Sequence, residues 1–341
     1  MNIFRLATPA DIDGLAALTS SLGAGLTTVP RTPEKIAAYI DETQRFLSGD
    51  ESANRIFFVV EMDGKVVGMS AILPRLGRER PYCSFKLSRH TRRSTTPSLK
   101  TAHDSLQFST EFDGNTALAT LFLSKEVRGG GVGRLLSLGR LAFIDQHRDF
   151  FSKTLMADIR GWLDENGEAP FWNFIASKFI DLPFKEADEL SSEDGRFIAE
   201  LIPSLPILLN LLPPETQDFI GRPHRLSGKA MDLLMNAGFK KTDLCDVFDG
   251  GPAIECEISD TSIARTAVRT QTLDDDVEGD YSMLFSGHKT DFRATIAKAD
   301  LRNNVAPQSV ANAFELSETA KLWIAATRHS DRLADLASAN K

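Results

Sequence analysis

The sequence predicts a mixed α+β fold, with strands and amphipathic helices alternating around a sheet. Three observations predict it. An apolar, strand-like segment at 117–124 runs through a glycine-rich turn into a helical pattern at 135–145. Two apolar runs, 56–61 and 66–73, are joined by Met62-Asp63-Gly64-Lys65, and Asp-Gly between apolar runs is a hairpin signal. Ahead of them, Thr8-Pro9-Ala10-Asp11 opens a helix with Thr8 as cap and Pro9 in the first turn.

Taken in order, 3–6 alternates as a short strand, and Ile12, Leu15, Ala16 and Leu18 share one face of the first helix. A small-residue loop from Gly23 to Pro30 precedes a second amphipathic helix at 33–47, carrying Ile36, Tyr39, Ile40, Phe46 and Leu47. The stretch 74–115 reads as an extended insertion with short elements. Tyr82, Phe85, Leu87, Leu99, Leu106 and Phe108 are its candidate buried residues. Its basic first half, Arg75 to Arg93, could touch phosphates but reads better as a solvated face. A strand at 155–159, a helix at 170–179, a strand at 197–201 and a helix at 227–237 stopped by Gly238 follow. Strands at 245–248 and 253–258 flank the turn Asp249-Gly250-Gly251-Pro252. After Thr261 short alternating segments, such as 264–270 and 292–297, suggest a small β-rich appendage.

Composition narrows the class. The chain has 341 residues, 42% of them apolar and 25% charged, enough for a large core in a soluble globular protein. Its net charge of −8 argues against nucleic acid as a partner. Cys83, Cys245 and Cys256 are too far apart for a metal knuckle or a disulfide framework. Met1 leads straight into a strand pattern with no signal peptide, and no run approaches the length of a membrane span. A cytoplasmic location is expected. No His/Cys/Asp grouping has metal-ligand spacing, and no Gly-x-Ser-x-Gly elbow occurs.

The glycine-rich turn, Arg128-Gly129-Gly130-Gly131-Val132-Gly133, carries the chemistry. Strand, glycine turn, helix presents backbone N–H groups to a pyrophosphate at a positive helix end. No Gly-Lys-Ser/Thr follows, so it is not a Walker loop, and it lacks the Gly-x-Gly-x-x-Gly dinucleotide pattern. A turn that binds nothing is the alternative. The motif resembles the coenzyme A loop of GNAT-type acyltransferases, which implies that Arg128, Gly129, Gly130, Gly131 and Gly133 hold CoA.

Further segments resemble the arginine N-succinyltransferase family. They are Gly25-Leu26-Thr27-Thr28-Val29-Pro30, Thr120-Leu121-Phe122-Leu123, Arg160-Gly161, Asp164-Glu165-Asn166-Gly167 and Pro170-Phe171-Trp172. The stretch from Phe197 to Pro203, Ile220-Gly221-Arg222-Pro223-His224, Gly238-Phe239 and Phe248-Asp249-Gly250-Gly251-Pro252 extend the match in the same order to about residue 260. The resemblance implies a GNAT-like fold with an extended second half. It divides the chain into an acyl-CoA-binding region at 1–182, a second half at 183–260 and a small β-rich region at 261–341. It implies transfer of the succinyl group of succinyl-CoA to the α-amino group of L-arginine, the first step of arginine breakdown by that route. Succinyl-CoA would be a co-substrate, with no tightly bound cofactor and no metal. A changed donor or acceptor, such as acetyl-CoA or ornithine, is one alternative. A non-catalytic CoA-binding subunit is another.

The resemblance places Leu121, with Phe122 and Leu123 beside it, against the acyl-CoA. All three can equally be core residues, since a backbone contact leaves the side chain free to pack. It makes His224 the proton donor, where the residues alone would favour a capping or surface histidine. Here Gly221-Arg222-Pro223-His224 departs from the family's usual Gly-Gln-Val-His. Asp158, Arg160, Glu200 and Asp249 are candidates for holding the charged substrates. A homo-oligomer, or a hetero-oligomer with a homologous subunit, is expected.

Overall fold

The structure, a computed structural model, describes residues 1–20, 28–317 and 319–328. The Gly25-Leu26-Thr27 part of the family-like loop and His329 lie outside the described residues. The first half holds β1 (Asn2–Leu6), α1 (Ile12–Thr19), α2 (Pro33–Leu47), β2 (Ile56–Met62), β3 (Lys65–Leu73), β4 (Ser84–Thr95), β5 (Ser98–Ser109), β6 (Thr116–Leu123), α3 (Val132–Gln146) and β7 (Thr154–Asp158). Then come α4 (Pro170–Phe174), α5 (Phe184–Asp194), α6 (Arg196–Leu201), β8 (Ile207–Leu208), α7 (Gly228–Met235), β9 (Lys240–Asp246), β10 (Pro252–Glu257) and α8 (Ser262–Thr266). The chain continues with β11 (Val268–Arg269), β12 (Thr272–Leu273), β13 (Asp280–Ser286), β14 (Arg293–Ala299), β15 (Val305–Ala306), α9 (Gln308–Ala313) and β16 (Leu322–Ala326).

Fourteen strands form one sheet in the order β11-β16-β13-β14-β1-β2-β3-β6-β7-β10-β9-β4-β5-β8. The β2 sequence explains why the middle of the sheet is sandwiched. Ile56, Phe58 and Val60 point into a cluster with α3, while Phe57 and Val59 point into one with α1 and α2. A strand buried on both faces reads as a continuous apolar run rather than an alternating one. Helix α3 is buried along almost its whole length from Leu135 to Ile144. A separate cluster of Phe85, Leu106, Phe171, Trp172, Ile198 and Val247 packs α4 to α6 onto the β4–β5–β9 end.

Four readings of the sequence need correction. The 74–115 insertion is mostly a long hairpin of two twelve-residue strands, and Leu99 near its tip is 58% exposed, not buried. Phe197 to Leu201 is helical: it sets Ile198 into the apolar cluster with Phe197 and the following Ile202 packed there too, while Leu201 is left exposed. The 264–270 stretch is helical until Thr266; Thr261 caps it by accepting from the Ala264 N–H. Residues after 261 do not hang off as an appendage. Strand β14 pairs with β1, at Phe4↔Ala294, and carries β13, β16 and β11 into the same sheet.

Candidate active site

The pair β6–β7 is the only parallel one in this sheet among the described residues, and it is short. Thr116 pairs with Leu155 and Ala117 with Met156, and then the strands part. On its other side β6 is bulged against β3. Met69 faces Phe122 and Ala71 faces Ala119, so Ser70 alone opposes both Thr120 and Leu121. Thr120 adopts φ +49°, a left-handed conformation costly for a β-branched residue. The bulge bends β6 away from β7 and opens a wedge between their C-terminal ends. Leu121 and Leu123 pack against the α3 cluster, and Phe122 is buried on the opposite face.

The glycine turn follows β6 directly. Gly131 caps α3 with φ +82° and Gly129 has φ +97°, conformations that favour glycine. A side chain at either would meet nothing within 4 Å, so these glycines face open space rather than packing. The Arg128 guanidinium donates to the Leu123 carbonyl oxygen at 3.3 Å, fastening the turn to the end of β6.

His224 sits on the β7 side of the wedge. Its N–H donates to Arg160 O at 2.7 Å, and the neighbouring Gly161 bridges Pro223. The Gly221 N–H donates to Gly250 O at 2.7 Å, and the Ile159 N–H to Pro252 O. Three backbone segments thus lie side by side. Gly161 and Gly251 make this possible, since a Cβ on Gly251 would lie 2.1 Å from Ile159 O. The half-buried His224 ring accepts the Leu226 N–H at Nδ1. The proton of the neutral ring therefore sits on Nε2. Burial, with Arg160 and Arg225 nearby, lowers the His224 pKa and keeps the ring neutral near pH 7.

The same tract gathers carboxylates. Asp158 ends β7, Asp246 ends β9 and Asp249 lies in the following turn. Asp246 Oδ1 accepts the Phe248 and Asp249 N–H groups, and Asp249 Oδ1 accepts the Gly251 N–H. Burial and mutual repulsion raise all three, Asp246 to about 8, Asp249 to about 6 and Asp158 well above its ordinary value. Asp158, at the end of β7, has its surface open to water. Two residues further on, Arg160 lines a cavity of about 290 Å³ together with Asn166, Phe184, Lys185, Asp188 and Glu189, among others.

Of the charged candidates, Asp158, Arg160 and Asp249 come together, and Glu200 stands apart on α6 beside Arg196. Asp246 was hidden in the sequence inside the apolar 245–248 run. Arg89, Arg92 and Arg93 are exposed on the hairpin. Cys83, Cys245 and Cys256 are free thiols, and no group of metal-ligating side chains occurs among the described residues.

Known proteins match the chain over most of its length. Residues 2–263 match the model of the arginine N-succinyltransferase beta subunit, and 264–326 match that of its C-terminal domain. The chain belongs to the arginine N-succinyltransferase beta subunit family. It is therefore an acyl-CoA-dependent acyltransferase. The arginine N-succinyltransferase of Photorhabdus laumondii is 34% identical over 263 residues, 76% of this chain and 77% of that protein. The beta subunit from Pseudomonas aeruginosa is 33% identical over 80% of both chains. A solved structure, arginine/ornithine succinyltransferase subunit AI from Pseudomonas aeruginosa, superposes with a TM-score of 0.83 at 27% identity. That match covers 96% of this chain and 99% of the other, so the family's fold runs through both halves and the C-terminal strands.

Proposed function

We propose that the protein transfers the succinyl group of succinyl-CoA to the α-amino group of L-arginine, as the names of its relatives describe. The observation that carries this reading is the wedge between β6 and β7, which opens between an unobstructed glycine turn and His224. The CoA pyrophosphate sits on the N–H groups of Gly129, Gly130, Gly131 and Gly133 with Arg128 alongside, at the positive end of α3. The thioester lies along β6 at Leu121, Phe122 and Leu123. The bulge leaves backbone there free to polarise its carbonyl.

The acceptor occupies the cavity beside Arg160. A guanidinium fits Asp188 and Glu189 in its lining, with Asp246 near enough to feel Asp188, and Arg160 suits the amino-acid carboxylate. A cation bound there lowers the raised carboxylate pKa values, so binding L-arginine releases protons. Attack by the amine on the thioester carbonyl forms the amide bond and breaks the carbon–sulfur bond. The amine loses its proton to a carboxylate of this lining or to water. His224 takes a proton from solvent when the substrates are bound, gives its Nε2 proton to the departing sulfur as an imidazolium, and returns to the neutral ring.

Residues 1–182 then hold the acyl-CoA, 183–260 supply His224, and 261–326 brace the sheet. Assembly with further copies or with a homologous subunit, and a cytoplasmic location, complete the proposal; no helix among the described residues is long and apolar enough to cross a membrane. A thiol-release assay crossing succinyl-, acetyl- and butyryl-CoA with L-arginine and L-ornithine tests it. His224→Gln should lower kcat about 10²- to 10⁴-fold while succinyl-CoA binding holds. Near-native turnover in that variant ends the proton-donor role.

A further inference from the structure

Arg140, in the middle of α3, is 2% exposed and has no carboxylate partner among the described residues. Its guanidinium makes three long contacts. Nε donates to Ser137 O at 3.4 Å, Nη1 to Ala119 O at 3.3 Å and Nη2 to Ser137 Oγ at 3.4 Å. None of these acceptors is an anion. Burial alone drives its pKa down, to about 9, with no acidic group opposing. A buried charge is costly unless something of opposite sign meets it.

The surroundings are polar where the rest of the α3 face is not. Ser70, fully buried, is the β3 residue opposite the bulge, and its Oγ leans toward Leu136 O at 3.5 Å. Thr120, 6% exposed, is the strained bulge residue, and its hydroxyl turns to the other face of the sheet, where it donates to Thr28 O beside Tyr39 of α2. Ser137 and Ser70 thus place two buried hydroxyl groups on the α3 side of the sheet, and the Arg140 guanidinium reaches Ala119 O on β6, just past the last β6–β7 pair. Elsewhere the same helix packs Leu136, Leu138, Leu141 and Phe143 against the sheet.

We propose that Arg140 receives the distal carboxylate of the donor's acyl group and so selects a dicarboxylic acyl-CoA over a monocarboxylic one. The inference rests on the acyl-transfer reading above. In that reading the thioester lies on β6 at Leu121, one residue from Thr120 and two from Ala119, whose carbonyl Arg140 touches. An acyl chain continuing inward from there ends at the guanidinium. A carboxylate matches its planar fork with two parallel hydrogen bonds and supplies the missing negative charge. A monocarboxylic chain of equal length leaves the charge unpaired and pushes methylene groups against hydroxyls.

The test compares succinyl-CoA with butyryl-CoA, its uncharged counterpart of equal length, with L-arginine as acceptor. It uses the wild type, Arg140→Met and Arg140→Lys. The wild type should favour succinyl-CoA in kcat/KM by about a hundredfold or more. Arg140→Met should lose that preference, through a fall for succinyl-CoA with butyryl-CoA nearly unchanged. Arg140→Lys should lie between the two. Equal losses with both donors, or an unchanged ratio, would assign Arg140 to the fold and overturn the proposal. Should the variants not fold, wild-type melting decides: succinyl-CoA must raise Tm more than butyryl-CoA, and equal shifts overturn it. Turnover of succinyl-CoA with an unaltered ratio in Arg140→Met removes this inference alone. No turnover of any acyl-CoA by the wild type removes the acyl-transfer reading as well.

Discussion

Two guanidinium groups, the partly buried Arg5 and the buried Arg140, lie in the same sheet assembly and are treated in opposite ways. Arg5 on β1 meets Asp11 at 2.7 and 2.8 Å and Glu61 at 2.7 Å, and Asp11 in turn accepts the Thr8 N–H and hydroxyl to form a capping box. Hydrogen bonds to Asp11 lead the causes that raise the Arg5 pKa. Arg140 has only backbone and one serine for company, and its pKa falls. A charge that serves the fold is neutralised by the fold. A charge left without a counter-ion is one for which the chain has kept a place open. The difference is between structure completed by folding and structure completed by a ligand.

The largest expected effect tests the paired side. Arg5→Met leaves the buried Asp11 and the partly exposed Glu61 without their cation and should cost about 3 kcal/mol in a denaturant titration. A cost under 1 kcal/mol would break the contrast. His147 sharpens it with a buried ring kept neutral. Its Nδ1–H donates to Phe143 O at 2.8 Å, and Nε2 accepts the Lys289 N–H at 2.9 Å. Burial first, then His288 and Lys289, lower its pKa to about 4. The unfolded ring takes up a proton below about pH 6.5 and the folded one does not, so stability should fall between pH 6.5 and 4 by up to about 3 kcal/mol. His147→Gln, which keeps both hydrogen bonds, should flatten that part of the stability–pH curve; an unchanged slope would exclude His147 as its source.

Asp11→Asn should cost about 1 to 2 kcal/mol, through the cap and one ion partner. Burial pushes the Asp11 carboxyl up, but its bonds to Arg5 and Thr8 prevail and hold it below the ordinary value. The wild type therefore has this stabilisation above about pH 4 and loses it as pH falls further. The Asn variant should show the smaller loss on acidification, and parallel curves would rule the carboxylate out. The smallest effect belongs to the unpaired side. Arg140→Met should leave ligand-free stability within about 1 kcal/mol of wild type, because no ion pair is lost. A collapse as large as that of Arg5→Met would make the two regions alike.

The sequence pattern made local devices legible and concealed partnerships made at a distance. The 33–47 helix, the Asp63-Gly64 hairpin and the strand–glycine turn–helix unit each carry their signal within a few residues, and the fold holds all of them. The long hairpin defeated periodicity because the outer parts of β4 and β5 are exposed on both faces. Helix α6 was read as a strand because Phe197 and Ile198 favour β structure, and the neighbouring cluster overrode that preference. Asp246 and Arg140 went unnoticed for one reason: each is a charge inside an apolar pattern. Arg140 lies one turn from both Leu136 and Ile144, on the face that packs inward, and a charge there is a signal that reading the sequence could have used.

The pairing of β1 with β14 has a consequence for synthesis. Phe4 waits for Ala294, so a nascent chain must be translated past β14 before β1 gains its second neighbour. Such a high contact order predicts slow closure of the sheet. Until then, the β1 edge is open to pairing with other chains. Polypeptides released early, before β14 exists, should aggregate at this edge, and a chaperone that covers it should raise the yield of the full-length protein more than that of a variant whose termini have been relinked to bring β14 and β1 together.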